Sequence, residues 1–285
     1  MGTLYLVATP IGNLEDITLR ALRILREVSL IAAEDTRTTR ILLDHHSITT
    51  PTTSYHEHNK GGREGALLQA LERGDVALVS DAGSPGISDP GFELVNAALA
   101  AGHTVSPVPG PSAVIAAVSA SGLPTDQFVF VGFAPRRAGA LADWVAQLRT
   151  ETRTTVLYEA PHRIGETVAA LAAAFPSRGL CLARELTKRF ETFWRGRCDE
   201  AVAHLQAHPP RGEFVVVLAG AVTGVSEVWE EARVHAELRE RLARGVSGRD
   251  AAAQVAALSG WSRRDVTREI DRVKYSAAIY PRSES

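Results

Sequence analysis

Short runs of apolar and β-branched residues alternate with amphipathic stretches along the first 120 residues, and this alternation constrains the fold more than any other feature. The runs are LYLVA, LIAAE, TTSYH, DVALVS and TVSPV. Such alternation predicts a parallel sheet whose strands are joined by helices. In the first predicted helix, Asp16 is the expected N-cap, and one apolar face is shared by Ile17, Ala21, Ile24, Leu25 and Val28.

A second alternation begins near residue 125 and gives way to a helical region. Its predicted strands are QFVFVGF, TTVLYEA, GLCLARE, FETFWRG and EFVVVLAG. The sequence therefore predicts an α/β fold with three parts: a parallel-sheet domain over residues 1–118, a second α/β domain over 119–225, and a helical region over 226–285. Within that last region, two short helices around LSGW resemble a helix-turn-helix, with Ser262 capping the second.

Composition narrows the function classes only slightly. A formal net charge of −2 gives no global basic field, so any contact with nucleic acid needs a local patch. The two cysteines, Cys181 and Cys198, lack C-x-x-C spacing, which favours a reduced cytoplasmic protein. No run reaches 18 apolar residues, and the first residues do not have the pattern of an export signal, so we expect no membrane association.

Four polar loops follow strands of the first predicted sheet. They are ATPIGN (8–13), EDTR (34–37), SDAGSPG (80–86) and PVPGPSA (107–113). Because ligands of open parallel sheets bind outside the carboxyl ends of the strands, these loops are expected to line one rim. The glycines and prolines of SDAGSPGISDPG predict a single tight backbone shape. In that stretch Asp89 has two interpretations: it contacts a ligand, or it caps a helix that starts at Pro90.

The chemistry of these loops disfavours a ligand bound through phosphate. Neither G-x-x-x-x-G-K-[ST] nor G-x-G-x-x-G occurs, and the loops carry carboxylates where phosphate needs cations. Asp81 instead suits a ligand with positive charge and hydroxyls. S-adenosylmethionine, with its sulfonium, ammonium and ribose diol, is one candidate.

Seven segments also resemble, in order and spacing, the tetrapyrrole-methylase-like class of S-adenosylmethionine-dependent methyltransferases, over roughly residues 3 to 280. They are LYLVATPIGNLEDITLRAL, AAEDTR, SDAGSPGISDPG, PVPGPSAVIAA, FVFVGFAPR, YEAPHRI and LARELTKRFE. The first loop reads ATPIGN where the class is commonly glycine-rich, and its G-D-P motif reads SDAGSPG here. Both departures favour the RNA-methylating branch over enzymes that act on tetrapyrroles.

The resemblance implies 2′-O-methylation of a cytidine ribose, at position 1402 in the decoding centre of 16S rRNA, on the small ribosomal subunit. It also implies two α/β domains with the methyl donor in the cleft between them, and usually a homodimer. No metal is expected, because the sequence has no metal-binding motif. The donor contacts that it implies are Pro10, Ile11, Asp81, Ser84, Ser112, Ala113, Tyr158, Ala183 and Glu213.

Other polar residues are candidates for catalysis or RNA contact. His56, Glu34 and Asp35 are alternatives for the base that accepts the proton of the 2′-hydroxyl. Asp35 or Thr36 is equally suited to cap the next helix. The cations expected at RNA phosphates are Arg37, Arg136, Arg137, Arg184, Lys188 and Arg189. The histidines of DHH (44–46) and YHEHN (55–59) lack convincing zinc spacing, so a polar rim near the acceptor is favoured there.

Two other functions stay open at this point. One is a methyltransferase of the same class acting on a tetrapyrrole precursor. The other is a regulator that senses a ligand with its α/β part and binds DNA through residues 245–280. The weak basic bias of that region argues against the second.

Overall fold

The computed structural model describes residues 1–56, 60–222 and 229–279, and the chain forms two compact units, Met1–Gly220 and Ala221–Ser285. All ten strands expected from the sequence are present. They belong to the first unit and form two five-stranded sheets. No helix within the described ranges combines the length and the apolar character needed to cross a membrane.

The first sheet is entirely parallel, as predicted, with strand order β3-β2-β4-β1-β5. Its strands are β1 (Thr3–Val7), β2 (Leu30–Ala33), β3 (Thr52–Ser54), β4 (Val76–Val79) and β5 (Thr104–Val108). Its helices are α1 (Leu19–Glu27), α2 (Thr36–His45), α3 (Lys60–Arg73), α4 (Phe92–Ala100) and α5 (Ala113–Ala120). Because all the strands run the same way, the four polar loops emerge at one edge.

The second sheet is mixed, with order β6-β7-β10-β8-β9, which the alternation of strands and helices did not indicate. β6 runs parallel to β7, whereas β10 is antiparallel to both β7 and β8, and β8 is antiparallel to β9. Its strands are β6 (Phe128–Phe133), β7 (Thr154–Glu159), β8 (Gly179–Arg184), β9 (Thr192–Arg197) and β10 (Phe214–Leu218). Its helices are α6 (Ala138–Gln147), α7 (Ile164–Ala174) and α8 (Cys198–Ala207).

Burial explains why the central strands read as continuous apolar runs. VALV of β4 and FVVVL of β10 are buried throughout, as expected for strands covered on both faces. Helix α5 connects the two halves of the first unit, because Val114, Ala117 and Val118 join the apolar cluster on one face of the second sheet. Helix α5 of the first half therefore packs directly against the second sheet.

The start of the first helix differs from the prediction. α1 begins at Leu19, and the Oγ1 of Thr18 accepts the N–H of Ala21 at 3.1 Å. Asp16 lies instead in a short 3₁₀ turn, Leu14–Asp16, so the expectation that it caps α1 was wrong. The predicted apolar face is confirmed at Ala21, Ile24 and Leu25.

Over its described residues, the second unit contains three helices, α9 (Glu231–Ala243), α10 (Gly248–Ser259) and α11 (Arg263–Ile279). They enclose their own apolar core, which includes Val234, Leu238, Val255, Val266 and Ile270. The Oγ of Ser262 accepts the N–H of Asp265 at 3.1 Å, so the predicted cap of the last helix is confirmed.

A buried ion pair in the first unit connects β7 to the loop after β6. Glu159 is 2% exposed, and it accepts hydrogen bonds from Thr167 Oγ1 at 2.6 Å and from the N–H of Ala160 at 2.9 Å. Arg163 lies 3.4 Å from the same carboxylate and donates to the carbonyls of Ala134 and Pro135 at 3.0 and 2.6 Å. The motif YEAPHR thus fixes the loop that carries Arg136 and Arg137.

We expect Arg163→Ala to lower the free energy of unfolding by about 3–5 kcal/mol, because it leaves Glu159 buried without its counterion. Adding Glu159→Gln should recover part of this loss, since the amide keeps an acceptor for Thr167 without a buried charge. Denaturant unfolding of the two single variants and the double variant measures the coupling. Strictly additive losses would show that the pair is not coupled.

Candidate active site

Two loops at the carboxyl edge of the first sheet are joined by paired backbone hydrogen bonds. The N–H of Thr9 donates to the carbonyl of Gly83 at 2.8 Å, and the N–H of Gly83 donates back to Thr9 at 3.0 Å. Thr9 Oγ1 also donates to the carbonyl of Ser80 at 3.1 Å. The loops after β1 and β4 are thereby held in one register.

The loop over residues 80–91 has the tight backbone that its composition predicts. Gly83, Gly86 and Gly91 all have positive φ, and so does Ser88, at 63°. A left-handed conformation is uncommon for a residue with a side chain, and such strain concentrates at functional sites. The strained residue directly precedes Asp89.

Asp89 does not cap a helix. α4 begins at Phe92, its N-cap is Gly91, and no side chain makes a capping hydrogen bond there. The interpretation of Asp89 and Pro90 as a helix start was therefore wrong. The carboxylate of Asp89 instead lines a cavity.

This cavity, called here the main cavity, has a volume of about 360 Å³, within the range of small-molecule sites. It is bounded by loops of the first sheet on one side and by β7, β10 and the ends of their neighbours on the other. Its lining consists of Ile11, Ala82, Gly83, Ser84, Ile87, Ser88, Asp89, Ser112, Ala113, Phe133, Tyr158, Glu159, Ala160, Pro161, Leu186, Glu213, Phe214 and Val215.

A second cavity of about 340 Å³ adjoins it and shares Ile11, Ala82 and Glu213 with the main cavity. It is called here the rim cavity because the loops after β1 and β4 and helix α2 supply most of its lining. Asp81 and Lys188 both face it.

Most of the residues predicted to bind the donor come together at these cavities. Those in the main cavity are Ile11, Ser84, Ser112, Ala113, Tyr158 and Glu213. Pro10 and Asp81 line the rim cavity. Ala183 is fully buried in β8 and pairs with Val215, so it lies one strand away from the lining.

The carboxylates of Glu34, Asp35 and Asp81 lie near one another where the loops after β2 and β4 approach each other. Asp81 Oδ1 accepts the N–H of Asp35 at 3.1 Å, and Glu34 Oε2 accepts the N–H of Asp81 at 3.3 Å. Burial raises the pKa values of Glu34 and Asp81, although these hydrogen bonds oppose the shift. The rim is therefore an electronegative environment suited to a cation.

The pKa of Asp89, which lies near these carboxylates, is raised as well. Burial and the nearby charge of Glu34 raise its pKa to about 6, against the effect of a hydrogen bond with the Ser80 side chain. Across the cavity, burial and the charge of Asp89 raise the pKa of the Tyr158 hydroxyl. Tyr158 is held in place by edge contacts with Phe130 and Phe133, with ring centroids 4.9 and 5.6 Å away.

The three candidates for the catalytic base lie outside the linings of both cavities. Asp35 caps α2 by accepting the N–H of Arg37 at 2.8 Å, and it also pairs with the Arg37 guanidinium, which lowers its pKa to about 2. Glu34 is occupied by Asp81 as described above. His56 lies close enough to Glu34 to influence its pKa, whereas residues 57–59, including His58, lie outside the described residues.

The predicted RNA-contacting cations fall into two groups. Arg136, Arg137 and Arg189 are exposed, and so is Arg37 beside Asp35. Arg184, in contrast, donates to the carbonyl of Arg211 at 2.7 Å, which fixes its side chain within the protein.

Lys188 belongs to an ion-pair network within the second half of the first unit. Its Nζ lies 3.0 Å from Glu185 Oε1 and 2.8 Å from Glu213 Oε2. Burial disfavours its charge, but these hydrogen bonds outweigh that effect and raise the pKa of Lys188. Its stem packs on Gly12, where an added Cβ would lie 2.3 Å from Lys188 Cγ. The turn is strained, with positive φ at Glu185 and Thr187.

Sequence reasoning missed several lining residues, notably Phe133 and Leu186, and for Asp89 it left ligand contact and a helix cap as alternatives. Phe133 follows a register shift in the pairing of β6 with β7, next to Gly132 with its φ of 70°. The segment GFAPR contained this signal, since a glycine inside a strand pattern often marks a bulge. In the second unit, one set of potential metal ligands converges within the described ranges, Glu231, His235 and Glu269. Arg272 already pairs with both of these carboxylates.

The chain matches known proteins along most of its length. The model of the family Tetrapyrrole (Corrin/Porphyrin) Methylases matches residues 3–202. A protein of Synechocystis sp. named ribosomal RNA small subunit methyltransferase I is 50% identical over 90% of this chain and 92% of its own length. A protein of the same name from Halalkalibacterium halodurans is 44% identical over 93% of each chain.

A solved structure supports the fold. The uroporphyrin-III C-methyltransferase of Thermus thermophilus, in complex with S-adenyl homocysteine, superposes with a TM-score of 0.55 at 22% identity, over 78% of this chain and 99% of that one. The chain has two sheets with a cavity between their loops. The family model matches 200 consecutive positions of it. The chain belongs to the tetrapyrrole (corrin/porphyrin) methylase family.

Proposed function

We propose that this protein transfers a methyl group from S-adenosylmethionine to the 2′-hydroxyl of a cytidine in 16S rRNA of the small ribosomal subunit. The single observation that carries the proposal is the main cavity, whose lining includes six of the nine donor contacts expected from the sequence. The names of the relatives, at 44–50% identity, support ribosomal RNA as the substrate. The methyl transfer would take place in the cytoplasm, where small subunits are assembled.

The main cavity fits such a donor chemically. Ile11, Phe133 and Leu186 offer apolar surface for a flat base. Hydroxyls of Ser84 and Ser112 are available to a ribose diol or a carboxylate, and the acidic rim stabilises a sulfonium and an ammonium. The homologous fold that holds S-adenyl homocysteine supports the same class of ligand here.

The donor supplies an electrophilic methyl group when it is bound. The protein must then hold the acceptor oxygen in line with that methyl, exclude water and accept the proton. Orientation of this kind contributes up to about 7–11 kcal/mol in the best intramolecular cases. The rim cavity adjoins the main cavity through Ile11, Ala82 and Glu213, and within this proposal the acceptor nucleotide enters through it and places its 2′-hydroxyl in the main cavity.

The proposal is tested by transfer of labelled methyl to small subunits that lack the modification, with naked 16S rRNA and a tetrapyrrole precursor in parallel. Nucleoside analysis should recover the label as 2′-O-methylcytidine from subunits. Label in the tetrapyrrole precursor alone would replace the proposed substrate by the other substrate class of the family.

We expect Asp81→Ala to weaken binding of S-adenosylmethionine about ten- to a hundredfold, as expected when a charged hydrogen-bonding partner is lost. Isothermal titration of the purified protein measures the affinity. Asp81→Asn is the matched control: it keeps an oxygen for the N–H of Asp35 and removes only the charge. An unchanged affinity in both variants would remove Asp81 from the donor site.

We expect the triple variant Arg136→Ala, Arg137→Ala, Arg189→Ala to bind subunits with a weaker salt dependence. Each lost phosphate contact lowers the slope of log K against log salt by about 0.7–0.9. The control replaces Arg23, Arg26 and Arg73, which are exposed near the opposite edge of the first sheet and carry the same total charge. Equal slopes for both triple variants would contradict phosphate contact at the three tested arginines.

Within the same proposal the protein acts as a homodimer. Helix α4 presents Phe92 and Leu99 on one face, 72% and 55% exposed, and self-association would bury this apolar surface. Sedimentation velocity should give about twice the chain mass of 30.6 kDa, and Leu99→Asp should shift the protein toward monomer. Leu19→Asp on α1, where Leu19 is 86% exposed, should have no effect. A monomer at all concentrations would refute the dimer.

A further inference from the structure

Among the described residues, three carboxylates line the main cavity. They differ in the neighbouring groups that compensate their negative charge. Glu159 is held by Arg163, Thr167 and a backbone N–H. Glu213 is paired with Lys188 at 2.8 Å. Asp89 faces the hydroxyls of Ser80 and Tyr158 and the acidic side chains of Glu34 and Asp81, with no cation among these neighbours.

We infer that Asp89 is the proton acceptor for the ribose hydroxyl, an inference that rests on the proposed methyl transfer. A base must lie in the cavity that holds the reacting groups, and Asp89 does, whereas Glu34, Asp35 and His56 do not line it. It is also the carboxylate that the strained loop presents, directly after Ser88 with its φ of 63°.

The hydroxyl oxygen forms the new O–C bond while the bond from the methyl carbon to sulfur breaks and leaves its electron pair on sulfur. The hydroxyl proton passes to the Asp89 carboxylate and then to water. The Ser80 side chain hydrogen-bonds this carboxylate and helps to orient it.

The surroundings of Asp89 suit this role at neutral pH. Burial and the like charges of Glu34 and Asp81 raise its pKa to about 6. General-base catalysis is most effective when the pKa of the base lies near the working pH, and it contributes about 10²–10⁴-fold. Since the carboxylate is the active form, activity should rise with pH through about 6 and level off above it.

The decisive experiment compares Asp89→Asn with Asp143→Asn, which removes the same charge from an exposed position on α6. In single turnovers on small subunits, Asp89→Asn should lower the methyl-transfer rate about 10²–10⁴-fold and abolish the rise with pH. Its affinity for S-adenosylhomocysteine, measured by titration calorimetry, should stay within about threefold of the unsubstituted protein, which also shows that it is folded. Asp143→Asn should match the unsubstituted protein in every respect.

Two further measurements make the inference independent of that one variant. Asp89→Glu keeps a carboxylate and should retain the rise of rate with pH at a reduced rate. In donor-free protein, the ¹³C carboxylate signal that Asp89→Asn removes should titrate near pH 6.

Each contrary result has a distinct meaning. If Asp89→Asn keeps a rate within about threefold and an intact pH profile, the inference is wrong while the proposed function stands. A large loss of S-adenosylhomocysteine affinity with an unchanged rate at saturation would make Asp89 a donor contact and overturn its role as base. Failure of the unsubstituted protein to form any 2′-O-methylcytidine would remove the proposed function, and this inference with it.

Discussion

The reciprocal hydrogen bonds between Thr9 and Gly83 are the constraint on which the site depends. They join the loops that leave two neighbouring parallel strands, so the first loop brings Ile11 to the same cavity as the residues that follow Gly83. Gly83 has a φ of 76°, and a Cβ there would meet the side chain of Ile11 at 3.5 Å. The backbone shape needed for the bridge is thus easily adopted only by glycine. Without the bridge, Ser84 and Asp89 would lose their fixed position relative to the first loop.

Electrostatics give this arrangement its chemical character. The loops after β2 and β4 bring Glu34, Asp81 and Asp89 together, and burial raises the pKa of each. Because their pKa values are raised, these carboxylates lose their protons less readily in the folded protein than in the unfolded chain. At a pH above their ordinary pKa values, they therefore lower the stability of the fold. A bound cation would relieve this repulsion. The same feature that weakens the fold at neutral pH therefore favours a positively charged ligand.

Local sequence patterns predicted the strands and the polar rim, because each of these features depends on neighbouring residues. VALV and FVVVL were recognisable as buried strands, and Ser262 as a cap. The antiparallel β10 was not predictable, since the alternation of strands and helices does not fix the direction in which a strand returns to a sheet. For Asp89 the sequence left ligand contact and a helix cap open, because S-D-P-G has the composition of a helix start, and only the turn at Gly91 delays α4.

The cavities depend on contacts between the two sheets, and these are the least accessible from sequence. Helix α5 buries Val114, Ala117 and Val118 against the second sheet, which sets the distance between the rim loops and Tyr158. Lys188 makes a second connection, reaching from a strained turn of the second half to pack on Gly12 of the first. Its two carboxylate partners neutralise it, so its main effect is to hold Glu213 at the boundary of the two cavities. Of the three carboxylates that line the main cavity, Asp89 is the one for which the described residues provide no cationic partner.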